Sequence, residues 1–293
     1  IWPLRLNRLL DHYQITGADA QMVVYRNDDG YRPRSNVEVD AKGFVCDYAK
    51  GRLSRNASGV DAGFIIMKRK LVEDLVTSEN VSLEATLYPK LVAQGRLSAY
   101  ETRHRYYSIS SIERLPQVEA FLAAQRTVLL DRDGVLNERM PKARYVCSWD
   151  EWRWLPGAKE ALRDFVQAGF RVVVITNQPG VARGSLTAAR LQEIHERMRQ
   201  DALAWGGRID SVYSCLHNWQ EGCDCRKPKP GLLFKAQREL ALDLTRTYYI
   251  GDDERDRSAA EAAGCPYLHV DVGGSLMDHC RNIVTQGMEV SRI

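Results

Sequence analysis

The sequence predicts an α/β fold with a parallel sheet covered by helices on both faces. Two observations from residue 126 onward lead to this prediction. Short apolar or β-branched runs alternate with amphipathic stretches, which is the pattern of strands and helices in a parallel sheet. Several of these runs end in Asp, Thr or Asn, and the carboxyl ends of parallel strands share the edge of the sheet where ligands bind.

The first 125 residues are predicted to form a smaller α/β domain. Its expected elements are helices at 4–12, 82–94 and 112–124, strands at 21–25 and 60–66, and a hairpin at 37–46. Gly43 supplies the positive φ of the hairpin turn. In the last helix, Val118, Phe121 and Leu122 are expected to face inward.

The remaining residues, 126–293, are predicted to form the larger domain. Its expected elements are strands at 127–130, 171–175, 209–215, 247–250 and 266–270, and helices at 156–169, 187–205, 235–242 and before the last strand. The helix at 187–205 has an apolar face at helical spacing, consisting of Leu191, Ile194, Met198, Ala202 and Trp205. His195 is expected on its solvent side, and no chemistry is assigned to the tail from Gly273.

Composition excludes several classes of protein. A chain of 293 residues with a net charge of +3 and scattered basic residues gives no case for nucleic-acid binding. No apolar run approaches the roughly 18 residues that span a membrane, and no signal-peptide pattern is present. Three of the seven cysteines lie between 215 and 225, which favours metal ligation over disulfides. We therefore expect a cytoplasmic protein without membrane or nucleic-acid partners; its oligomeric state is not predicted.

Two aspartates follow the first strand of the larger domain, in Asp131-Arg132-Asp133-Gly134. Carboxylates two residues apart favour a hard cation such as Mg²⁺. One can attack a phosphoryl group while its neighbour acts as acid and base. The alternative is a plain turn, because Asp and Gly are common turn residues.

Polar residues also follow the later strands. Thr176 and Asn177 end one strand, and Asp252 and Asp253 follow another. A hydroxyl at 176 and the charge of Lys227 suit a phosphate group, and Asp252 would complete the ligand set of the cation. Two interpretations of Asp253 stay open, a part of the cation site or, slightly favoured, an exposed residue.

Together these residues resemble the four motifs of haloacid dehalogenase superfamily phosphatases, over about residues 126–271. The longer matches at 176–184 and 225–228 are similar to the heptose bisphosphate and histidinol-phosphate phosphatases of that superfamily. The resemblance implies a domain of Rossmann-like topology. It also implies Mg²⁺-dependent hydrolysis of a small sugar phosphate through an aspartyl-phosphate, with the 7-phosphate of D-glycero-D-manno-heptose 1,7-bisphosphate as the expected target.

The resemblance also implies a role for each matching residue. Asp131 would be the nucleophile and Asp133 the acid and base. Mg²⁺ would be held by Asp131, the backbone carbonyl of Asp133, and Asp252. The residues that would face the phosphoryl group or the rest of the substrate are Thr176, Lys227, Asn177, Arg183 and Arg226.

A second cluster of ligand-type residues consists of Cys215, His217, Cys223 and Cys225. Three thiolates and one imidazole satisfy a closed tetrahedral Zn²⁺ site, which is structural rather than catalytic. Such an ion would fix the loop that carries Arg226 and Lys227. A chance grouping of buried thiols is the alternative. The loop is short, as in histidinol-phosphate phosphatases, so histidinol phosphate remains the alternative substrate.

Residues 1–125 resemble the second half of sugar-1-phosphate nucleotidyltransferases. The resemblance depends on Asp61-Ala62-Gly63 and on Ser82-Leu83-Glu84. The Gly-rich phosphate loop of that family is absent, and Ser108 stands where the family has a metal-binding Asp. This implies a partial, inactive transferase-like domain fused to the phosphatase. The alternative to an enzyme is a non-catalytic scaffold, stabilised by a zinc ion, that binds a sugar nucleotide.

Overall fold

The computed structural model describes residues 5–31, 34–49, 56–74, 82–109, 111–123 and 126–290. The chain forms two compact units, residues 1–108 and residues 109–293. Within the described residues, no helix is both long and apolar enough to cross a membrane.

The first unit is built on a five-stranded mixed sheet. Its elements are α1 (Leu6–Thr16), β1 (Ala20–Arg26), β2 (Val37–Val39), β3 (Val45–Tyr48), β4 (Gly59–Met67), α2 (Arg69–Glu73), α3 (Leu83–Ala93) and β5 (Leu97–Thr102). The strand order is β3-β2-β4-β1-β5, with β1 antiparallel to β4 and parallel to β5. The predicted hairpin is confirmed, since β2 and β3 are antiparallel and Gly43 has a φ of 83°.

The second unit is built on a five-stranded parallel sheet. Its elements are α4 (Leu115–Leu122), β6 (Thr127–Leu130), α5 (Ala158–Gln167), β7 (Arg171–Asn177), α6 (Ala188–Ala204), β8 (Ser211–Cys215), α7 (Gly231–Leu240), β9 (Tyr248–Gly251), α8 (Glu254–Ala263), β10 (Tyr267–His269) and α9 (Leu276–Val290). The strand order is β10-β9-β6-β7-β8, and every neighbouring pair is parallel. The predicted α/β fold class is confirmed.

Helices cover both faces of the parallel sheet, because successive side chains of a strand point to opposite faces. Val128 and Leu130 of β6 pack into one apolar cluster with α5, α6 and α9. Leu129, between them in sequence, packs into the other cluster with α7 and α8. β6 is therefore buried on both faces at the centre of the unit, and the turn that follows it is held in place.

The division between the units falls earlier than the predicted boundary after residue 125. Helix α4 lies in the second unit, where Phe121 lines a cavity of about 330 Å³ together with Arg171 and Leu242. Of the three residues expected inside, Val118 is buried but Leu122, in the last turn of the helix, is 57% exposed. Trp205 was also expected inside and is half-exposed, because it follows the last turn of α6.

Candidate functional site

The predicted residues converge at the carboxyl edge of the parallel sheet. Asp131 follows β6, Thr176 lies at the end of β7, and Asp252 follows β9, and these strands are neighbours. Gly134 has a φ of 94°, and a Cβ at this position would overlap the carboxylate of Asp252. Only glycine lets the turn after β6 approach the carboxylate that follows β9.

Lys227 is buried among acidic groups at this edge. Its Nζ lies 2.7 Å from Oδ1 of Asp131 and 2.6 Å from Oδ1 of Asp256. It also donates to the hydroxyl of Tyr249 at 3.0 Å and to the carbonyl of Ile175 at 3.1 Å. Burial alone would lower the pKa of Lys227, but the two carboxylates outweigh it and raise that pKa. Asp256 belongs to the last of the four motifs in the resemblance to haloacid dehalogenase phosphatases, but no role was assigned to it; it is a direct partner of the cationic side chain.

Burial raises the pKa of Asp131, and the nearby Asp256 raises it further. Lys227 opposes both effects by favouring the carboxylate form. The nucleophile candidate is therefore a buried acid whose ionisation depends on the cationic groups placed beside it.

Asp133 is held by four donated hydrogen bonds. Arg132 donates to both carboxylate oxygens at 3.2 and 2.9 Å, Asn137 donates to Oδ1 at 3.0 Å, and Gln178 donates to Oδ2 at 2.8 Å. Burial raises the pKa of Asp133, but Arg132 and the other donors outweigh it and the pKa is lowered. The carboxylate is therefore the favoured form of Asp133 in this arrangement.

The expectation that His195 lies on the surface is wrong. His195 is buried, and its Nε2 lies 3.1 Å from NH1 of Arg132. Burial and the Arg132 charge lower the pKa of His195 to about 3, so the neutral ring accepts this hydrogen bond. Arg132 itself is 1% exposed and lies over the ring of Trp152. The inward-directed arginine of the Asp-Arg-Asp motif explains why a histidine is buried under it.

Thr176 and Asn177 point to different partners. Gln178 donates to Oγ1 of Thr176 at 2.8 Å, so the hydroxyl of Thr176 can donate its proton to an incoming oxygen. The amide of Asn177 binds the backbone of Lys227, since Oδ1 accepts from its N–H at 3.1 Å and Nδ2 donates to its carbonyl at 3.0 Å. Asn177, which was predicted at the substrate, therefore also positions Lys227.

Three carboxylates could hold a metal ion. Oxygen atoms of Asp131, Asp252 and Asp256 all lie within 4.8 Å of one another. Oδ1 of Asp252 is buried, and no hydrogen-bond donor among the described residues reaches it. Burial also raises the pKa of Asp252. A bare buried oxygen beside other carboxylates is costly unless a cation binds it, so these residues fit a hard ion such as Mg²⁺.

The predicted thiol and imidazole ligands also converge. Sγ of Cys215 lies 3.2 Å from Sγ of Cys225 and 3.7 Å from Sγ of Cys223. Nδ1 of His217 lies 3.2 Å from Sγ of Cys225 and 3.7 Å from Sγ of Cys215. Four ligands around a tetrahedral Zn²⁺ with Zn–S bonds of about 2.3 Å would be separated by about 3.7 Å. Burial and the neighbouring thiols raise the pKa of Cys225. A bound cation would offset the repulsion between the thiolates.

A short turn brings the second pair of cysteines back to the first. Asn218 and Glu221 form a capping box around a single helical turn, and Gly222 reverses the chain with a φ of 64°. Arg226 and Lys227 follow Cys225 directly in the chain. The thiol cluster and the cationic residues of the site therefore belong to one continuous loop.

A cavity of about 540 Å³ opens above the carboxylates. Its basic lining residues are Arg132, Arg139, Lys142, Arg144, Arg183, Arg226, Lys227 and Arg255, and its acidic ones are Asp131, Asp133, Asp253 and Asp256. Arg183 donates to the hydroxyl of Tyr145 at 2.6 Å. Asp253, for which exposure was the slightly favoured of two open interpretations, is half-buried and bonded to Arg139 and Arg255.

The family profile of the haloacid dehalogenase-like hydrolases matches residues 68–264. The chain belongs to this family. The chain is 41% identical over 144 residues to D-glycero-beta-D-manno-heptose-1,7-bisphosphate 7-phosphatase of Bordetella bronchiseptica, covering 49% of this chain and 79% of that relative. The Pseudomonas aeruginosa protein of the same name is 39% identical over 146 residues, covering 50% and 81%.

Among solved structures, a D,D-heptose 1,7-bisphosphate phosphatase from B. bronchiseptica, complexed with magnesium and phosphate, is similar to this chain. It is 37% identical with a TM-score of 0.48, and the match covers 54% of this chain and 86% of that one. This haloacid dehalogenase-like hydrolase is a phosphatase, and that prediction from its sequence is confirmed.

Proposed function

We propose that the protein removes the 7-phosphate of D-glycero-D-manno-heptose 1,7-bisphosphate. The observation that carries this proposal is the charge of the cavity, which is lined by eight basic and four acidic residues. A single phosphate bound beside Asp131 would neutralise only part of this positive charge, whereas a second phosphate on the same sugar would neutralise more of it. The similar relatives named above are phosphatases of this bisphosphate.

In the first step, a carboxylate oxygen of Asp131 attacks phosphorus. The bond between phosphorus and the sugar oxygen breaks, and the protonated form of Asp133, which is the minor form in the arrangement described above, gives its proton to that oxygen. Lys227 and Thr176 stabilise the charge on the transferring group. The products of this step are the dephosphorylated sugar position and an aspartyl-phosphate.

In the second step, Asp133 takes a proton from water, whose oxygen attacks phosphorus. The bond between phosphorus and Asp131 breaks, releasing inorganic phosphate and restoring the carboxylate. The four hydrogen bonds to Asp133 support this step, because they favour the carboxylate that acts as base.

Mg²⁺ is the proposed catalytic ion, with Asp131, the backbone carbonyl of Asp133, and Asp252 as its ligands. When bound, it would neutralise charge between the nucleophile and the phosphate. The unpartnered Oδ1 of Asp252 supports this assignment. Asp256 is also close, but Lys227 already binds its Oδ1, so we give it the role of holding Lys227.

Zn²⁺ is the proposed structural ion, held by Cys215, His217, Cys223 and Cys225. The mutual distances of these four ligand atoms support it. The ion would fix the loop that presents Arg226 to the substrate. A cytoplasmic location is part of the same proposal, and all seven cysteines are free thiols, as is usual in a reducing compartment.

For residues 1–125 we propose a partial nucleotidyltransferase-like domain that is inactive. Its Asp61 matches the sugar-contacting motif of that family, but its side chain is used within the unit. Oδ1 accepts the N–H of Gly63 at 2.8 Å, and Oδ2 accepts the hydroxyl of Tyr48 at 3.2 Å. These bonds support a structural role for the turn.

Phosphate release tests the proposal. The substrates are the α and β anomers of heptose 1,7-bisphosphate, histidinol phosphate and an aryl phosphate, each with Mg²⁺. We expect a clear preference for the heptose bisphosphate. Histidinol phosphate has one phosphate and a cationic amine, which the basic cavity disfavours. Greater activity on histidinol phosphate would replace the substrate and keep the mechanism.

The matched variants are Asp131→Asn and Asp150→Asn. The first removes the proposed nucleophile and should lower turnover by at least about a thousandfold, a loss of about 4 kcal/mol of transition-state stabilisation. The second removes an exposed carboxylate and should leave turnover unchanged. Full activity of Asp131→Asn would refute the mechanism, and no activity of the folded wild type on any substrate would favour the scaffold.

A further inference from the structure

Arg139 bridges two neighbouring carboxylates at the edge of the site. Its NH1 donates to Oδ2 of Asp252 at 3.1 Å, and its NH2 donates to Oδ2 of Asp253 at 2.5 Å. It lies in the segment between β6 and α5 and lines the substrate cavity. It belongs to none of the motifs considered above, so its contact with the proposed metal ligand has no assigned purpose.

The two oxygens of Asp252 are in different situations. Oδ2 is bound by Arg139, whereas Oδ1 is buried and has no donor among the described residues. The guanidinium therefore fixes the rotation of the carboxylate with Oδ1 left for a cation. Carboxylates that ligate metals are commonly held by a hydrogen bond to their other oxygen, and losing that bond weakens metal affinity by about 10–100-fold.

A guanidinium close to a cation site would also repel the cation. Asp253 counteracts this repulsion, because its carboxylate accepts a hydrogen bond from Arg139 and two from Arg255. The two bonds from Arg255 are 2.7 and 2.9 Å long. Asp253 also caps helix α8 by accepting from the backbone N–H of Arg255, so its carboxylate is fixed. The acid thus anchors Arg139 to a rigid element and offsets its charge.

We propose that Arg139 is a positioning residue that orients Asp252 for the divalent cation, with Asp253 as its anchor. The proposal rests on the Mg²⁺ site of the proposed function. It predicts that removing the guanidinium weakens cation binding, although charge alone predicts the opposite. The sign of the change therefore separates orientation from repulsion.

The test measures the dissociation constant of Mn²⁺ by electron paramagnetic resonance on the full chain, without substrate. Arg139→Gln removes the bond to Asp252, and Arg255→Gln removes an equal charge that contacts Asp253 but not Asp252. We expect the first variant to bind Mn²⁺ about tenfold more weakly. We expect the second to bind as tightly as the wild type or more tightly.

Unchanged or tighter binding in Arg139→Gln would overturn the proposal, as would equal weakening in both variants. A thermal unfolding scan of each variant guards against misfolding, and Arg139, whose side chain is 46% exposed, should change the midpoint little. A folded wild type that binds no Mn²⁺ would overturn the proposal together with the metal site. Phosphate release by the wild type is measured separately, so failure of the phosphatase function is distinguishable from failure of the role of Arg139.

Discussion

Replacing Lys227 by methionine should destabilise the protein strongly. The side chain is only 3% exposed, and its Nζ contacts both Asp131 and Asp256. Methionine fills much of the same space without charge. The variant therefore leaves two carboxylates close together in a buried site with no cation, unless metal is added.

The expected size follows from the burial of both partners. Breaking a buried ion pair by removing one member costs about 3–5 kcal/mol. For a unit of this size each kcal/mol lowers the melting temperature by about 2–4 °C, so the expected decrease is about 6–20 °C. Asp256→Asn should cost less, about 1–3 kcal/mol, because Lys227 keeps its bond to Asp131.

Scanning calorimetry in a metal-free buffer provides the assay, and the pH dependence identifies the cause. Lys227 favours the carboxylate form of Asp131, so without Lys227 the folded-state pKa of Asp131 should rise further above its unfolded value of about 4. Such a group costs stability as pH rises above the unfolded pKa, because the unfolded chain ionises first. The difference between wild type and Lys227→Met should therefore change little at acid pH and grow as the pH rises above the folded-state pKa of Asp131 in the wild type, about 8.

Lys235→Met is the matched control, because this lysine is exposed and its loss should change stability by no more than about 0.5 kcal/mol. A Lys227→Met protein as stable as the wild type would refute the reasoning. So would a loss of stability that is the same at every pH, because a packing defect does not titrate.

Three further predictions concern the turn after β6, the thiol cluster and the hydrogen bonds from Asn177 to the backbone of Lys227. Gly134→Ala should abolish Mn²⁺ binding and lower the free energy of unfolding by at least about 1–3 kcal/mol. The control Gly169→Ala, at a residue with a φ of 78° but open space around it, should only lower stability. Calorimetry and metal titration check both variants. Cys225→Ser should lose bound zinc as measured by elemental mass spectrometry, whereas Cys46→Ser, an exposed thiol outside the cluster, should retain it. Asn177→Ala should lower kcat/KM by about tenfold, because two bonds to the Lys227 backbone are lost; an unchanged steady-state rate would contradict this role.

The sequence predicts the strand-end residues well because their signals are local. An apolar run followed by Asp131 or Thr176 identifies both a strand and the edge at which it ends. Parallel pairing then brings those ends together without further information. The positions of Cys215 and Cys225 are predicted for a similar reason, since a short loop can bring them to one point.

Other parts of the site depend on contacts that have no local pattern. Asp256 meets Lys227, and Arg139 meets Asp252, only because the sheet order places β9 beside β6. His195 was predicted at the surface because it lies outside the apolar spacing of α6, yet Arg132 reaches it from the turn after β6.

Strand β5 and helix α9 were not predicted at all. In β5, Ser98 is as fully buried as its apolar neighbours, with its hydroxyl 3.4 Å from the carbonyl of Ala20, so burial does not follow hydrophobicity along this strand. The burial of such a polar residue cannot be predicted from its polarity, because a hydrogen bond to a neighbouring strand compensates the cost of burying its hydroxyl.

The strand order also has a consequence for how the protein is synthesised. β6 is flanked by β7 and β9, so one of its edges has no partner until residues 248–251 have been made. At about 5–20 residues per second, the interval between translating Asp131 and Asp256 is about 6–25 s. A nascent chain carries Asp131 throughout this interval without Asp252 or Asp256. The open edge of β6 is meanwhile exposed to pairing with other chains, so a ribosome-bound intermediate should be aggregation-prone and unable to cleave phosphate esters.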